Sequence, residues 1–274
     1  MISVNTNLAA MAAIQNLNRT GLELQQTQSA ISTGKKIANV RDNGAVWVIA
    51  NKMSTDVQSY SRVRESNDRA TAILDTAIAA GEGIMELLNE MKAKALAATQ
   101  TGLSAGSQAA LTADFNQLRD QITTVVANAS FDGTNMVGAT PDSAIGLGDS
   151  SGGNGITIAG ANLSLGGPVV SVATGTTVDT ASNASTALGL VNASITALGT
   201  QLATWGAGAK RLEVHRQFVG KLQDALNTGI GSLVDADLSA ESAKLQSLQV
   251  KKQLGIQALS IANSTTQYAL GLFR

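Results

Sequence analysis

Between residues 188 and 230 apolar side chains recur at alternating steps of three and four. Leu188, Val191, Ile195, Leu198, Leu202, Trp205, Ala209 and Leu212 form the run, which resumes at Val219, Leu226 and Ile230. That spacing draws one stripe along a helix, the seam of a coiled-coil-like packing. At ~1.5 Å per residue such a helix extends roughly 65 Å and needs partners of similar length. Two upstream stripes can supply them: Ile73, Ala77, Ala80, Ile84, Leu87 and Met91, and then Leu111, Phe115, Leu118, Ile122, Val125 and Ala129. "TQTGLSAGSQAAL" separates the two, with Gly102 and Gly106 read as breakers before a polar helix start. Arg216 and Gln223 interrupt the last seam, which predicts looser or polar packing there. Three seams bury one another only by lying together.

The middle of the chain is different. Both prolines, Pro141 and Pro168, lie there with the glycine-rich "GLGDSSGGNG" (146–155), and no Lys or Arg occurs between Arg119 and Lys210. "GNGITIAGANLSLGGPVVSVATGTTVDT" alternates β-branched residues with turn formers, which predicts short strands and hairpins. The fold class is therefore mainly α: a long coiled-coil-like helical hairpin or bundle from both chain ends, with a small β-rich central insertion.

Charge and residue chemistry narrow the function. Charged residues are 14% of the chain, against roughly 25% in ordinary soluble domains. The net charge of −1 offers no basic field for nucleic acid or an acidic membrane. There is no cysteine and one histidine, His215, read as a polar helix residue. No nucleophile–base pair and no metal-ligand set is legible, so neither an enzyme nor a cofactor is expected. "TWGAGAK" (204–210) lacks the spacing of a phosphate loop, and Glu82, Glu86 and Glu90 read as a solvated helix face. The glycine-rich run reads as a loop, not a ligand cradle. Trp47 in "GAVWVIA" reads as a packing anchor near a bend.

The two ends share a peculiarity. "MISVNTNLAAMAAIQNLN" carries no charge, and after Lys252 the only charged side chain is Arg274. Without a basic n-region, a continuous apolar core or an A-x-A site, the start predicts no cleaved signal peptide. Gln253, Gln257, Ser260 and Asn263 make the final run too polar for a lipid-facing helix. Leu17, Leu24 and Ile31 lie one heptad apart, as do Leu254, Ile261 and Tyr268, while Leu238, Leu245 and Leu259 lie on a second line. A helix apolar on several faces needs several partners. The first helix supplies one, and other copies of the chain are expected to supply the rest. The expected self-association interface comprises Leu8, Met11, Leu17, Leu24, Ile31, Leu254, Leu259, Ile261, Tyr268, Leu270 and Phe273.

Three stretches then match a known pattern. "VNTNLAAMAAIQNL" with "ISTGKKIANVRDNGAVWVIANKM" resembles the start of bacterial flagellins, and "LVDADLSAESAKLQSLQVKKQLGIQALSIANSTTQYALGLFR" resembles their end. "LRDQITTVVANASFDGTNMV" is similar to the family's helix-to-turn segment, in which a "DG" or "NG" pair starts a β-hairpin. The resemblance covers about 1–137 and 187–274. It implies an inner terminal domain of 1–40 with 235–274, a helical rod of 41–134 with 187–234 carrying a β-hairpin, and a reduced, surface-exposed domain of 135–186. It also implies a subunit that polymerises into the extracellular flagellar filament for swimming. Export would be unfolded, through the flagellar type III apparatus and without a cleaved signal. The implied partners are further copies, the cap and hook-junction proteins, and a cytoplasmic export chaperone bound by the C-terminal helices. Neither nucleic acid nor membrane insertion is implied.

Flagellins that trigger the Toll-like innate receptor resemble one another at three helix positions, an Arg, a Leu four residues on, and a Glu on the next helix. The corresponding residues here are Glu90, Lys94 and Asp114. Reversing one charge and placing a cation where an apolar anchor belongs implies evasion of that receptor. Two other functions share these ends: a hook–filament junction protein, and a cell-surface adhesin or polysaccharide-binding flagellin. The second is disfavoured because 135–186 contains no Phe, Tyr or Trp on which a sugar could stack.

Overall fold

The computed structural model describes residues 6–271, with side chains described as far as residue 264. Its helices are α1 (Leu8–Thr33), α2 (Gly44–Ala98), α3 (Ala105–Asn128), α4 (Ala181–Val234) and α5 (Leu238–Gly271). Strands β1 (Ser143–Gly146) and β2 (Ile156–Ala159) pair antiparallel, with Ser143 opposite Ala159 and Gly146 opposite Ile156. The mainly α architecture with a small central β element is the one the spacing predicts.

Side chains mark the helix starts. Asn7 caps α1 by accepting from Ala10 N at 3.0 Å, and Gly34 ends it at φ 69°. Asn43 accepts from Val46 N at the start of α2. Ser104 accepts from Ser107 N at the start of α3. Thr180 accepts from Asn183 N at the start of α4, and Asp237 accepts from Ser239 N and Ala240 N at the start of α5. Each cap satisfies amides that the first turn leaves without partners. Gly102, at φ 90°, lies in the break between α2 and α3. Gly106 does not: it is the second residue of α3, because the Ser104 cap has already started the helix.

The chain forms two compact units, residues 1–55 with 224–274, and residues 56–223. The second unit holds the larger core. On α2 the buried positions include Leu74, Ala77, Ile84, Leu88 and Met91; on α3 they are Phe115, Leu118, Ile122 and Val126; on α4 they include Val191, Leu198, Trp205, Leu212 and Val219. The seams are therefore real, with local slips. Leu88 is buried rather than Leu87, Val126 rather than Val125, and Ser194 rather than Ile195. A straight α-helix drifts ~20° per heptad from a strict 3.5-residue repeat, so a stripe read from sequence wanders off the true inner face.

The interruptions of the seam resolve in two ways. Gln223 is buried and donates to Val57 O at 3.1 Å and Ser61 Oγ at 3.0 Å, while accepting from Arg64. Arg216 points outward and pairs with Asp68 at 2.9 Å. So one site is a buried polar layer, and the other never enters the core.

The central segment shares this core rather than standing apart from it. Ala144, Ile156, Ile158, Leu163, Val170 and Val172 belong to one cluster with the α2, α3 and α4 side chains. Gly208 lets β2 approach α4: a Cβ there would lie 2.9 Å from Ile158 Cδ1. Trp205 donates from its indole N–H to Ala159 O at 3.0 Å. Asn135 ties the segment to α3 by donating to Val126 O while accepting from Val137 N and Gly138 N. The expectation of repeated hairpins through 153–180 needs correction. Only Ile156–Ala159 of that stretch is a strand, and its partner lies upstream at 143–146. The later β-branched residues are buried instead as single anchors, Val170, Val172 and Val178, in irregular chain. The Phe131–Asp132–Gly133–Thr134 turn closes on a Phe131–Thr134 bridge, with Asp132 at φ 50° and Gly133 at φ 77°, as a type I′ turn requires.

Trp205 is the largest fully buried side chain and touches both α-helical and β parts of this core. Trp205→Ala should lower stability by about 3–5 kcal/mol in urea unfolding followed by helix circular dichroism, whereas the exposed Thr204→Ala should stay within about 0.5 kcal/mol.

Candidate self-association surface

The first unit brings the two chain ends together. Lys36 N donates to Val234 O at 2.8 Å and Ala236 N to Gly34 O at 2.9 Å, around a Lys35–Asp235 bridge. This stitch joins the exit of α1 to the entry of α5, so the helices run side by side. At the far end, Asn7 donates to Ala262 O at 2.8 Å. Between these points the helices are close: a Cβ on Gly255 would meet Leu17 Cδ1 at 3.3 Å. Ala10, Thr27, Ala30 and Leu248 are buried in this unit.

The candidate interface residues divide into two groups. Leu17, Leu24, Ile31 and Leu259 are half-buried. Leu8, Met11, Leu254 and Ile261 face solvent, at 78%, 54%, 57% and 66% exposure. The Tyr268 and Leu270 side chains, and Phe273 entirely, lie outside the described residues. Heptad counting missed other exposed apolar residues: Ile14, Leu22, Val250 and Ile256 on the two helices, and Val40, Val48 and Ile49 near the start of α2. Leu8, Met11 and Leu22, and likewise Val250, Leu254 and Ile261, fall on common helix faces. Following i+4 and i+11 spacing would have found them.

An open cavity of about 780 Å³ lies between α1, the loop after it and the start of α5. Lys35, Lys36, Arg41 and Lys244 line it, with Asp42 and Glu241. Asp42 is already engaged, accepting from Ala38 N and Asn39 N. Thr27 Oγ1 and Glu241 Oε2 are buried with no hydrogen-bond partner, although Lys244 Nζ lies 3.6 Å from that carboxylate oxygen. Buried polar groups are ordinarily satisfied, so this corner has bonding capacity left over. Trp47 is half-buried beside Val40 and Arg41 in a second, shallower cleft.

The other sequence candidates separate clearly. Lys94 Nζ donates to Asp114 Oδ2 at 2.6 Å, joining α2 to α3, while Glu90 is exposed. Glu82 and Glu86 are exposed too. His215 is half-buried with its ring centroid 6.4 Å from that of Phe218. Asp149 Oδ1 accepts from Ser151 N, Ser151 Oγ and Gly153 N, and Oδ2 from Asn154 Nδ2. The glycine-rich run thus folds around its own carboxylate. Among the described residues no group of three or more His, Asp and Glu could hold a metal, and no helix is long and apolar enough to cross a membrane.

A family model of the bacterial flagellin N-terminal helical region matches residues 4–140, and one of the C-terminal helical region matches residues 188–273. The chain belongs to the bacterial flagellin family. Flagellin FljO of Caulobacter vibrioides is 46% identical over 272 residues, which span 99% of this chain and 98% of the relative. A flagellin of Brucella melitensis is 33% identical over the full length of both chains. The crystal structure of Bacillus cereus flagellin shares the fold at TM-score 0.50 and 21% identity, covering 56% of this chain and 88% of that one. This flagellin is a structural subunit of the extracellular flagellar filament, which drives swimming. Flagellins polymerise with copies of themselves, which gives the exposed apolar faces of α1 and α5 their context.

Hydrogen bonds from Ser151, Asn154 and Gly153 lower the Asp149 pKa from 3.8 to about 2. Its loop contribution is therefore complete above pH 3.8 and lost as pH falls through about 2. A carboxyl-carbon NMR titration should show Asp149 ionising near pH 2, and Asp149→Ala should raise amide exchange at Ser151 and Gly153 at neutral pH.

Proposed function

We propose that this flagellin polymerises through the outward faces of α1 and α5, with Leu8, Met11, Leu254 and Ile261 as apolar contacts and Leu270 and Phe273 beyond them. The observation that carries this reading is the pairing of two charge-poor helices that still leave those four side chains in water. Burying a side chain of that size is worth about 1.5–3 kcal/mol, so repeated contact between copies supplies a large driving force. The half-buried Leu17, Leu24, Ile31 and Leu259 hold the helix pair itself together. On this reading 1–40 with 235–274 forms the inner shell, 41–134 with 187–234 the rod, and 135–186 the outer surface. The chain leaves the cell through the flagellar export apparatus, engages the cap and hook-junction proteins, and is carried by an export chaperone on its C-terminal helices. It has no catalytic role and needs no cofactor.

The Lys94–Asp114 ion pair supports a second proposal, evasion of the Toll-like innate receptor. It places a paired cation where the activating flagellins resemble one another in an apolar residue. A reporter-cell assay should give little signal at doses where activating flagellins saturate, and full signalling would refute evasion.

Polymerisation is tested by electron microscopy after salting-out. The intact chain should form filaments. Removing residues 255–274 should abolish them while the helical circular dichroism of the second unit persists. Leu254→Asp with Ile261→Asp should raise the critical concentration by about tenfold or more. Persistent monomers of the intact chain, or normal filaments from the double variant, would contradict the proposal.

A further inference from the structure

The unit of residues 56–223 carries an apolar patch and an apolar cavity that cannot meet within one molecule. Arg211, Val214, Phe218 and Lys221 recur at i, i+3, i+7 and i+10 on α4, so they share one helix face. Leu212 and Val219 on the other side of the helix are fully buried, whereas Val214 and Phe218 are 54% and 57% exposed. The neighbouring charges are spent elsewhere: Lys210 pairs with Glu213 at 2.7 Å and Arg216 with Asp68 at 2.9 Å. Among the described residues Arg211 and Lys221 have no ion-pair partner. The face is thus a pair of apolar side chains between two free cations.

The cavity lies where the end of α3 meets the central segment. It measures about 330 Å³ and is lined by Val126, Ala127 and Leu165 with Thr123 and Thr174. A cavity of about 150 Å³ admits a benzene ring, so this one has room for a phenylalanine ring and a valine side chain. Its surroundings are acidic on balance: Asp142 accepts from Asn135 N of the lining, and Asp120 lies one turn before Thr123 beside the mostly buried Arg119, which donates to Thr176 O. No Lys or Arg occurs between Arg119 and Lys210, while Asp120, Asp142 and Asp179 fall in that span.

The patch cannot fill its own cavity. Ser171, three residues before Thr174, is bonded to Ser194 of α4, with Ser171 N to Ser194 Oγ at 3.0 Å. Ser194 and Phe218 are separated along that helix by roughly 36 Å at ~1.5 Å per residue. We propose that Val214 and Phe218 of one copy seat in the α3–central-segment cavity of a neighbouring copy, with Arg211 and Lys221 against the aspartates around it. Size, polarity and charge all favour a second copy as the occupant. The contact is heterologous, joining two different patches, and contacts of that kind propagate into open helical polymers. The proposal rests on the filament reading but uses neither α1 nor α5.

The chain has no cysteine, so a double variant, Phe218→Cys with Thr174→Cys, introduces the only thiols. Filaments of this variant, oxidised and run on a non-reducing gel, should give a ladder of dimers, trimers and higher species, because each copy links head-to-tail to the next. Phe218→Cys and Thr174→Cys alone should give no ladder beyond dimers. Phe218→Asp, which leaves the core untouched, should lower filament yield at fixed protein concentration by about tenfold or more. Filaments of the double variant without a ladder would overturn this contact and leave polymerisation through α1 and α5 standing. Failure of the unsubstituted chain to polymerise would remove both.

Discussion

Two packed helices can hide only the faces they turn toward each other. α1 and α5 meet over much of their length, pinned by the Lys35–Asp235 stitch at one end and the Asn7–Ala262 hydrogen bond at the other. They still leave Leu8, Met11, Leu254 and Ile261 in water. A monomeric protein would place Lys or Glu on such faces. Here the ends are almost free of charge and rich in Asn, Gln, Ser and Thr. That choice suits an interface: an unpaired buried charge is expensive, while a neutral amide or hydroxyl needs only a hydrogen bond.

The second unit solves the same problem within the molecule. Its stripes close on one another around Trp205, Phe115 and Ile84, and the central segment adds its own valines and isoleucines to that core. Small residues such as Gly208 let backbones come close. The polar layer at Gln223 survives burial because its amide is bonded on both sides. The stripes of this unit bury one another, whereas the paired helices of the first leave large apolar side chains exposed. The contrast explains how one chain can be both a folded subunit and a material for assembly.

Much of this is legible in the order of the amino acids. The three–four spacing locates α2, α3 and α4, and the charge gap from Arg119 to Lys210 marks the central segment. What periodicity cannot give is the phase of each helix to within one residue. Leu88, Val126 and Ser194 take the inner positions instead of Leu87, Val125 and Ile195, since rotation accumulates along a long helix. Nor can it separate a strand from buried irregular chain in 160–180, where β-branched side chains serve either purpose. The interface residues illustrate a different limit. Heptad spacing selects Leu17 and Leu24 together with Leu254 and Ile261, but the burial of the first pair and the exposure of the second depend on how α1 and α5 are rotated against each other. Glu90 and Lys94 read as two separate departures from a family pattern; only the folded chain places Lys94 2.6 Å from Asp114.

The central claim is that the apolar faces of α1 and α5 are completed by other copies of the chain. Amide hydrogen exchange, compared between depolymerised chain and filament, tests it most directly. The account predicts that α1 and α5 exchange within seconds to minutes in the free chain and become strongly protected in the filament, while the core of α2 and α4 around Leu74 and Trp205 is protected in both. Equal protection of α1 and α5 in the two states would mean that the helix pair is complete by itself, and would contradict the account.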